Sequence, residues 1–306
     1  MGKLLVYLTV GILCGPSGFN FPVPSWMGSV LSGASLFYLI VAGLELNLRA
    51  HRSWFRQSLL IALFSFSIPF FFGFWMGGAL GTESFSSRWI LATALSVSAL
   101  PVIIQILRER KLLGSQTGNI VICAASLCDI SAWLCFLWIL PGNYSQAWAQ
   151  SHLSVLMFLL AAVLSSAFKL PDQAVQSLKT CSQWVAAPLF FSGIGLQIDI
   201  WQSLNIFHVL IIFAVASASK ILGAYLGSRL AKVPNFESWL IAVSLNTRGA
   251  MEIMLASMAL KADLIEVSMF TSLVMMAVLT SVLAGPALQL IQRRQAKLTA
   301  AVNPVL

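Results

Sequence analysis

Long stretches of this chain carry no charge at all. None falls between Leu4 and Leu44, between Gln57 and Thr82, or between Val267 and Gln292. Leu112 to Phe168 holds one, Asp129. A spanning helix needs roughly 20 predominantly apolar residues. In hydrocarbon the backbone must satisfy its own hydrogen bonds, which helices and closed barrels do. These runs do not alternate with period two, which argues against a barrel. Only 9% of the residues are charged and 58% are hydrophobic, against roughly 25% charged in a soluble domain. Too few charges remain to cover a water-facing surface. The net charge of +8 is scattered singly rather than clustered, which excludes a nucleic-acid-binding surface. The expected fold class is an all-α polytopic membrane protein.

Hydropathy places about ten transmembrane helices, near residues 3–16, 28–46, 57–80, 88–107, 117–140, 150–168, 182–198, 205–228, 237–259 and 266–290. The positive-inside rule orients them. One set of loops carries Arg49, Arg52 and Arg56; Arg108, Arg110 and Lys111; Lys169 and Lys179; Arg229 and Lys232; and a tail with Arg293, Arg294 and Lys297. The opposite set carries Arg88 with Glu83, Asp199, and Lys261 with Asp263 and Glu266. Both termini are therefore expected in the cytoplasm. Lys3 precedes an apolar run that leads into Gly15-Pro16 rather than a small-residue cleavage site, so no cleavable signal peptide is expected. The five cysteines, Cys14, Cys123, Cys128, Cys135 and Cys181, sit in apolar segments and read as small buried packing residues.

The ten spans read as a five-plus-five inverted repeat. Residues 1–149 form the first half, 150–292 the second, and 293–306 a cytoplasmic tail. Gly43-Leu44-Glu45-Leu46 ends the second span, and Gly195-Leu196-Gln197-Ile198 ends the seventh. The same offset carries Ser96, in the fourth span, onto Arg248, in the ninth. Both of these spans are poor helices at their centres. One reads Ser96-Val97-Ser98-Ala99-Leu100-Pro101, the other Ser244-Leu245-Asn246-Thr247-Arg248-Gly249. Proline removes a helical hydrogen bond and glycine weakens a helix interior. Two discontinuous helices at matched positions of inverted halves are a transporter signature and point to a midplane site.

Four ionisable residues lie inside predicted spans: Asp129, Lys220, Arg248 and Glu252. Each costs roughly 2.5–3.5 kcal/mol at a helix centre on insertion scales. Their formal charges sum to zero, so structural ion pairs are one reading and an ion site the other. Asp129 is the leading candidate for proton and cation binding. A carboxylate there can hold a proton or a monovalent cation but not both, and that competition is the core of an exchanger. Ser96, Ser98 and opened backbone carbonyls are the expected oxygen ligands, since hard cations prefer oxygen. Lys220 is an expected charge partner for Asp129 when the site is empty. Arg248 and Glu252, four apart, share a helix face and can pair locally.

At these residues the chain resembles the monovalent cation:proton antiporters, in the branch holding Kef-type and Na+/H+ antiporters and the plant cation/H+ exchangers. Gly11-Ile12-Leu13-Cys14-Gly15-Pro16-Ser17-Gly18 resembles the family's G-I-L-L-G-P-S. Gly43-Leu44-Glu45 resembles its G-L-E, and Pro188-Leu189-Phe190-Phe191 with Gly195-Leu196 its P-L-F-F and following glycine. Lys220-Ile221-Leu222-Gly223 resembles its helix lysine, Asn246-Thr247-Arg248-Gly249-Ala250-Met251-Glu252 its N-T-R-G-L-x-E, and Thr280 to Pro286 its closing segment. The resemblance implies alternating access, usually in a homodimer, with Asp129 as the ion-binding aspartate and Lys220 as its basic partner. Cys128 stands where the family often has an acidic, Asn or Gln residue, which argues against an electrogenic two-carboxylate scheme. Longer members carry two more helices between the halves, where this chain has only Pro141 to Gln150.

The function expected is monovalent cation (Na+ or K+)/H+ antiport in a cell membrane, without a cofactor and without enzymatic activity. Two alternatives stand beside it: an organic-anion/Na+ symporter of the same general fold, and a degenerate, non-transporting subunit that binds a partner. Gly15-Pro16-Ser17-Gly18 literally fits the G-x-S-G of rhomboid-type intramembrane proteases. A serine nucleophile needs a base in reach, however, and His51, His152 and His208 lie in loops or at span ends.

Overall fold

The computed structural model describes residues 2–21, 27–45, 54–79, 84–139, 146–168, 171–196 and 198–302. Leu46, Arg49, Arg52, Glu83, Pro141, Lys169 and Gln197, named above, lie outside them, as do the side chains of Glu45, Arg294 and Lys297. The described residues are helical with short connections, and among them no strand occurs. In chain order the helices are α1 (Gly2–Cys14), α2 (Met27–Glu45), α3 (Phe55–Ala79), α4 (Phe85–Ser96), α5 (Leu100–Glu109), α6 (Gln116–Ile139) and α7 (Gln146–Ala167). There follow α8 (Asp172–Cys181), α9 (Ala187–Gly195), α10 (Ile200–Ser203), α11 (Ile206–Leu230), α12 (Asn235–Leu245), α13 (Ala250–Lys261) and α14 (Val267–Val302).

Among the described residues, five stretches are long and apolar enough by themselves to cross a membrane: Met27–Leu44, Phe55–Ala79, Gln116–Ile139, Ile206–Leu230 and Val267–Arg293. Elsewhere the chain interrupts its helices. The span expected at 88–107 is two helices, α4 and α5, separated by extended backbone at residues 97–99. The span expected at 237–259 is likewise α12 and α13, separated at residues 246–249. Pro101 occupies the first turn of α5, where its missing N–H costs nothing. Two boundaries differ from the hydropathy reading. The helix expected to begin at 182 begins at Asp172, after Pro171, and runs through a π turn at Ser182–Ala186 into α9. Residues 173–181 are half-buried or exposed and mostly polar, so hydropathy does not register them. Cys181, at the end of this helix, is exposed for the same reason and is not a packing residue; Cys14 and Cys135 are half-buried, and Cys123 and Cys128 buried. The last helix continues to Val302, through much of the stretch assigned to a tail.

The chain divides into two compact units. The first comprises Met1–Ala50, Trp133–Phe207 and Met254–Ser272. In it α1 lies against α9, and α2 against α7 and α9. The α1 and α9 backbones approach so closely that a Cβ on Gly11 would collide with the Ser192 carbonyl, and one on Gly195 with that of Leu8. Small residues permit such contact, and close backbones are how helices cohere where no hydrophobic drive exists between them. The Ser17 hydroxyl donates to the Ile198 carbonyl at 2.9 Å, so it ties the α1 turn to the end of α9.

The second unit comprises His51–Ala132, His208–Ile253 and Leu273–Leu306, and contains both interruptions. In it α3 lies against α4, and α5 against α12. Glycine again sets the distance: a Cβ on Gly227 of α11 would fall 2.9 Å from the Ile61 Cα of α3. The α4 side of this unit is packed throughout, with Ile90, Leu91, Ala92, Ala94 and Leu95 fully buried.

Candidate functional site

Asp129, Ser96, Ser98, Lys220, Arg248 and Glu252 all fall in the second unit and are all completely buried. Asp129 lies on α6, Lys220 on α11, Glu252 in the first turn of α13, and the others in or beside the two interruptions. The second unit thus gathers every ionisable residue expected inside a span.

An interrupted helix leaves its last carbonyls without intrahelical partners and with the negative end of the helix dipole. At α4 these carbonyls are met by cations. Arg248 donates from Nη1 to the Ala94 carbonyl at 2.6 Å and from Nη2 to that of Leu95. Lys220 Nζ donates to the Ser96 carbonyl. At α12 the donors are neutral. The Thr247 hydroxyl reaches the Ser244 carbonyl, and the Ser98 hydroxyl reaches that of Leu245 at 2.9 Å. The two interruptions also join directly, because the Ala99 N–H donates to the Thr247 carbonyl at 2.9 Å. The Ser281 hydroxyl of α14 holds the Arg248 carbonyl.

Arg248 and Glu252 form an i,i+4 ion pair with Nη1 3.4 Å from Oε1. Glu252 Oε2 and Arg248 Nε have no partner. Glu252 stands in the first turn of α13, where the helix dipole favours an acidic group.

Asp129 stands apart from this network. No described side chain donates a hydrogen bond to either carboxylate oxygen. The Ser98 backbone N–H faces it as a donor and Lys220 acts on it by charge, but Lys220 directs its ammonium to the Ser96 carbonyl. The hydroxyls expected as cation ligands donate their protons to carbonyls, Ser96 to those of Ala92 at 2.8 Å and Phe66 at 3.0 Å, which leaves their oxygen lone pairs free to face a cation. The carbonyls expected to be open at the end of α4 carry Arg248 and Lys220. The buried position thus holds a carboxylate whose two oxygens no described side chain holds, beside cations that are committed elsewhere. Such a group can exchange a proton for a cation without breaking a structural bond. Sequence reasoning missed Thr247 and Ser281, which hold the second interruption, and Ser65, a fully buried α3 serine whose hydroxyl meets only the weakly bonding Cys128 thiol among the described residues. Serine and threonine are too frequent along these helices for any one to stand out.

Known proteins share this framework. An Na+/H+ antiporter of Enterococcus hirae is 21% identical over 90% of this chain and 88% of its own length. Cation/H+ antiporter 20 of Arabidopsis thaliana is 24% identical over 95% of this chain, which spans only 45% of that longer protein. The solved structure of MjNhaP1, a sodium proton antiporter of Methanocaldococcus jannaschii, superposes with a TM-score of 0.64 at 10% identity, over 98% of this chain and 92% of the other. The family described as sodium/hydrogen exchanger, transmembrane, matches residues 1–170 and 145–294. With nearly the whole length matched and a shared helical fold, the chain belongs to the transmembrane sodium/hydrogen exchanger family.

Proposed function

We propose that this protein exchanges a monovalent cation, Na+ or K+, for a proton by alternating access, with the two competing for Asp129. The observation that carries this is the pair of buried carboxylate oxygens to which no described side chain donates a hydrogen bond. A charge buried in that state is costly, and either a proton or a bound cation removes the cost. The names of relatives that handle Na+, K+ or unspecified cations against H+ support the same class. One uncommitted carboxylate, with Glu252 tied to Arg248, favours one proton per cation and hence electroneutral exchange.

The site belongs, in this proposal, to ten spans arranged as two inverted halves, 1–149 and 150–292. The matched interruptions of α4/α5 and α12/α13 support the repeat, and the basic loops support cytoplasmic termini. We place the protein in a cell membrane, as a homodimer. The family matches the chain in two overlapping stretches, which fits halves joined by a shorter connection than in longer members.

The test is cation-driven proton flux in proteoliposomes, read by a pH-sensitive dye inside the vesicle. Native protein should give flux with Na+ or K+, and Asp129→Asn should abolish it. Equal flux from native and variant would exclude Asp129 as the exchange site. No flux from folded native protein with either ion would favour a subunit that transports nothing.

A further inference from the structure

Buried hydroxyls in the second unit commonly donate to a carbonyl one turn back on their own helix. Thr93, Ser126, Ser219 and Ser228 do so. Ser65 of α3 does not. It is fully buried, and among the described residues its hydroxyl meets no oxygen or nitrogen partner, only the weakly bonding Cys128 thiol. Leaving a buried hydroxyl unsatisfied costs stability, so the position calls for an occupant.

Its surroundings identify the chemistry. The Ser65 hydroxyl stands beside the Cys128 thiol, which adjoins Asp129 in α6. The Cys128 sulfur lies 3.8 Å from the carbonyl of Ala62, in the same helix as Ser65 and three residues before it. On the α11 side, a Cβ on Gly223 would fall 3.2 Å from the Ser65 Cα, and Gly223 is one turn beyond Lys220. The next residue of α3, Phe66, accepts the Ser96 hydroxyl at 3.0 Å. Helices α6 and α11 and the end of α4 therefore all meet α3 within the stretch from Ala62 to Phe66.

A hard monovalent cation selects oxygen over sulfur. Asp129 offers two oxygens. Cys128 offers only a soft sulfur. The Ser96 and Ser98 hydroxyls donate their protons to carbonyls and keep their lone pairs for a cation. A further hydroxyl oxygen, beside Cys128, is on α3.

We propose that Ser65 is a further cation ligand, supplying a hydroxyl oxygen from α3 to the ion held by Asp129. The proposal rests on cation exchange at Asp129 and adds a helix to the site that its sequence pattern does not mark. It also gives the Cys128 position a rationale: the hard oxygen comes from the neighbouring helix instead of from the residue before the carboxylate.

The test measures proton flux against Na+ and K+ concentration in proteoliposomes of the native protein, Ser65→Ala, Ser65→Cys, Ser65→Thr and Asp129→Asn. Each variant is first checked for a single symmetric peak in size-exclusion chromatography. Ser65→Ala and Ser65→Cys should each raise the half-saturating cation concentration about tenfold, the loss of one charge-assisted contact, while maximal flux stays within about twofold of native. Ser65→Thr, which keeps the oxygen, should stay near native. Cysteine preserves the size of serine, so it separates a missing oxygen from a packing fault even if threonine proves too large. Unchanged half-saturation in Ala and Cys, or a fall in maximal flux alone, would overturn the role of Ser65 while leaving Asp129 in place. Undiminished flux from Asp129→Asn would remove the underlying exchange site, whatever the Ser65 variants do.

Discussion

The two interruptions share a plan and differ in electrostatics. Each ends a half-helix, crosses a few non-helical residues and starts a second half-helix. At the end of α4 the carbonyls of Ala94, Leu95 and Ser96 receive two charged side chains, Arg248 and Lys220. At the end of α12 the carbonyls of Ser244 and Leu245 receive two hydroxyls. Both arrangements satisfy the backbone, but only the first also opposes the helix dipole with charge. The two fully buried basic residues, Lys220 and Arg248, therefore act as caps for a broken helix. What they leave over is a carboxylate, Asp129, that no one caps. If Asp129 is the exchange site proposed above, it gains from that separation, because the permanent charges hold structure while Asp129 holds none.

That contrast predicts a hierarchy of stability, measurable by thermal unfolding in detergent. Arg248→Ala should show the largest loss, about 3–5 kcal/mol, since it removes the charged donors of two carbonyls and strands the buried Glu252. Arg248→Lys should recover only part of it, because one ammonium cannot reproduce the guanidinium fork. Glu252→Gln should be milder, about 1–2 kcal/mol, because an amide can still accept from Arg248. Ser98→Ala should be the smallest, about 1 kcal/mol, the value of one neutral hydrogen bond. If Ser98→Ala destabilised as much as Arg248→Ala, the charged and neutral caps would be equivalent and the contrast would fail. A Glu252→Gln variant as damaged as Arg248→Ala would shift the weight from the α4 carbonyls to the ion pair.

Much of this arrangement was visible in the residues alone. Helical class followed from the charge-free runs, because hydrocarbon admits few ways to satisfy a backbone. The interruptions followed from Pro101 and Gly249 in spans at matched positions, since the cost of each residue in a helix is local and known. Burial of Asp129, Lys220, Arg248 and Glu252 followed from their place in apolar runs. Their partners did not. Lys220 was expected as a charge partner of Asp129, and that its ammonium donates to the Ser96 carbonyl was not foreseen. Which carbonyl an ammonium finds depends on how α11 sits against α4, and spacing in sequence carries no record of that. Helix α8 escaped notice for a different reason: polarity conceals a helix from a search tuned to apolar length. Ser65 escaped because its distinction is the absence of a bond, and only coordinates can reveal an absence.

The cap on α4 has a consequence for how the protein is made. Arg248 lies 154 residues downstream of Ala94. A ribosome therefore delivers the first broken helix well before the side chain that completes it. Until Arg248 arrives, the last carbonyls of α4 must find other donors, because lipid supplies none and each unsatisfied group there costs several kcal/mol. The first half of this protein is thus synthesised in a state that its own residues cannot finish, and the order of biogenesis is written into the bond that closes it.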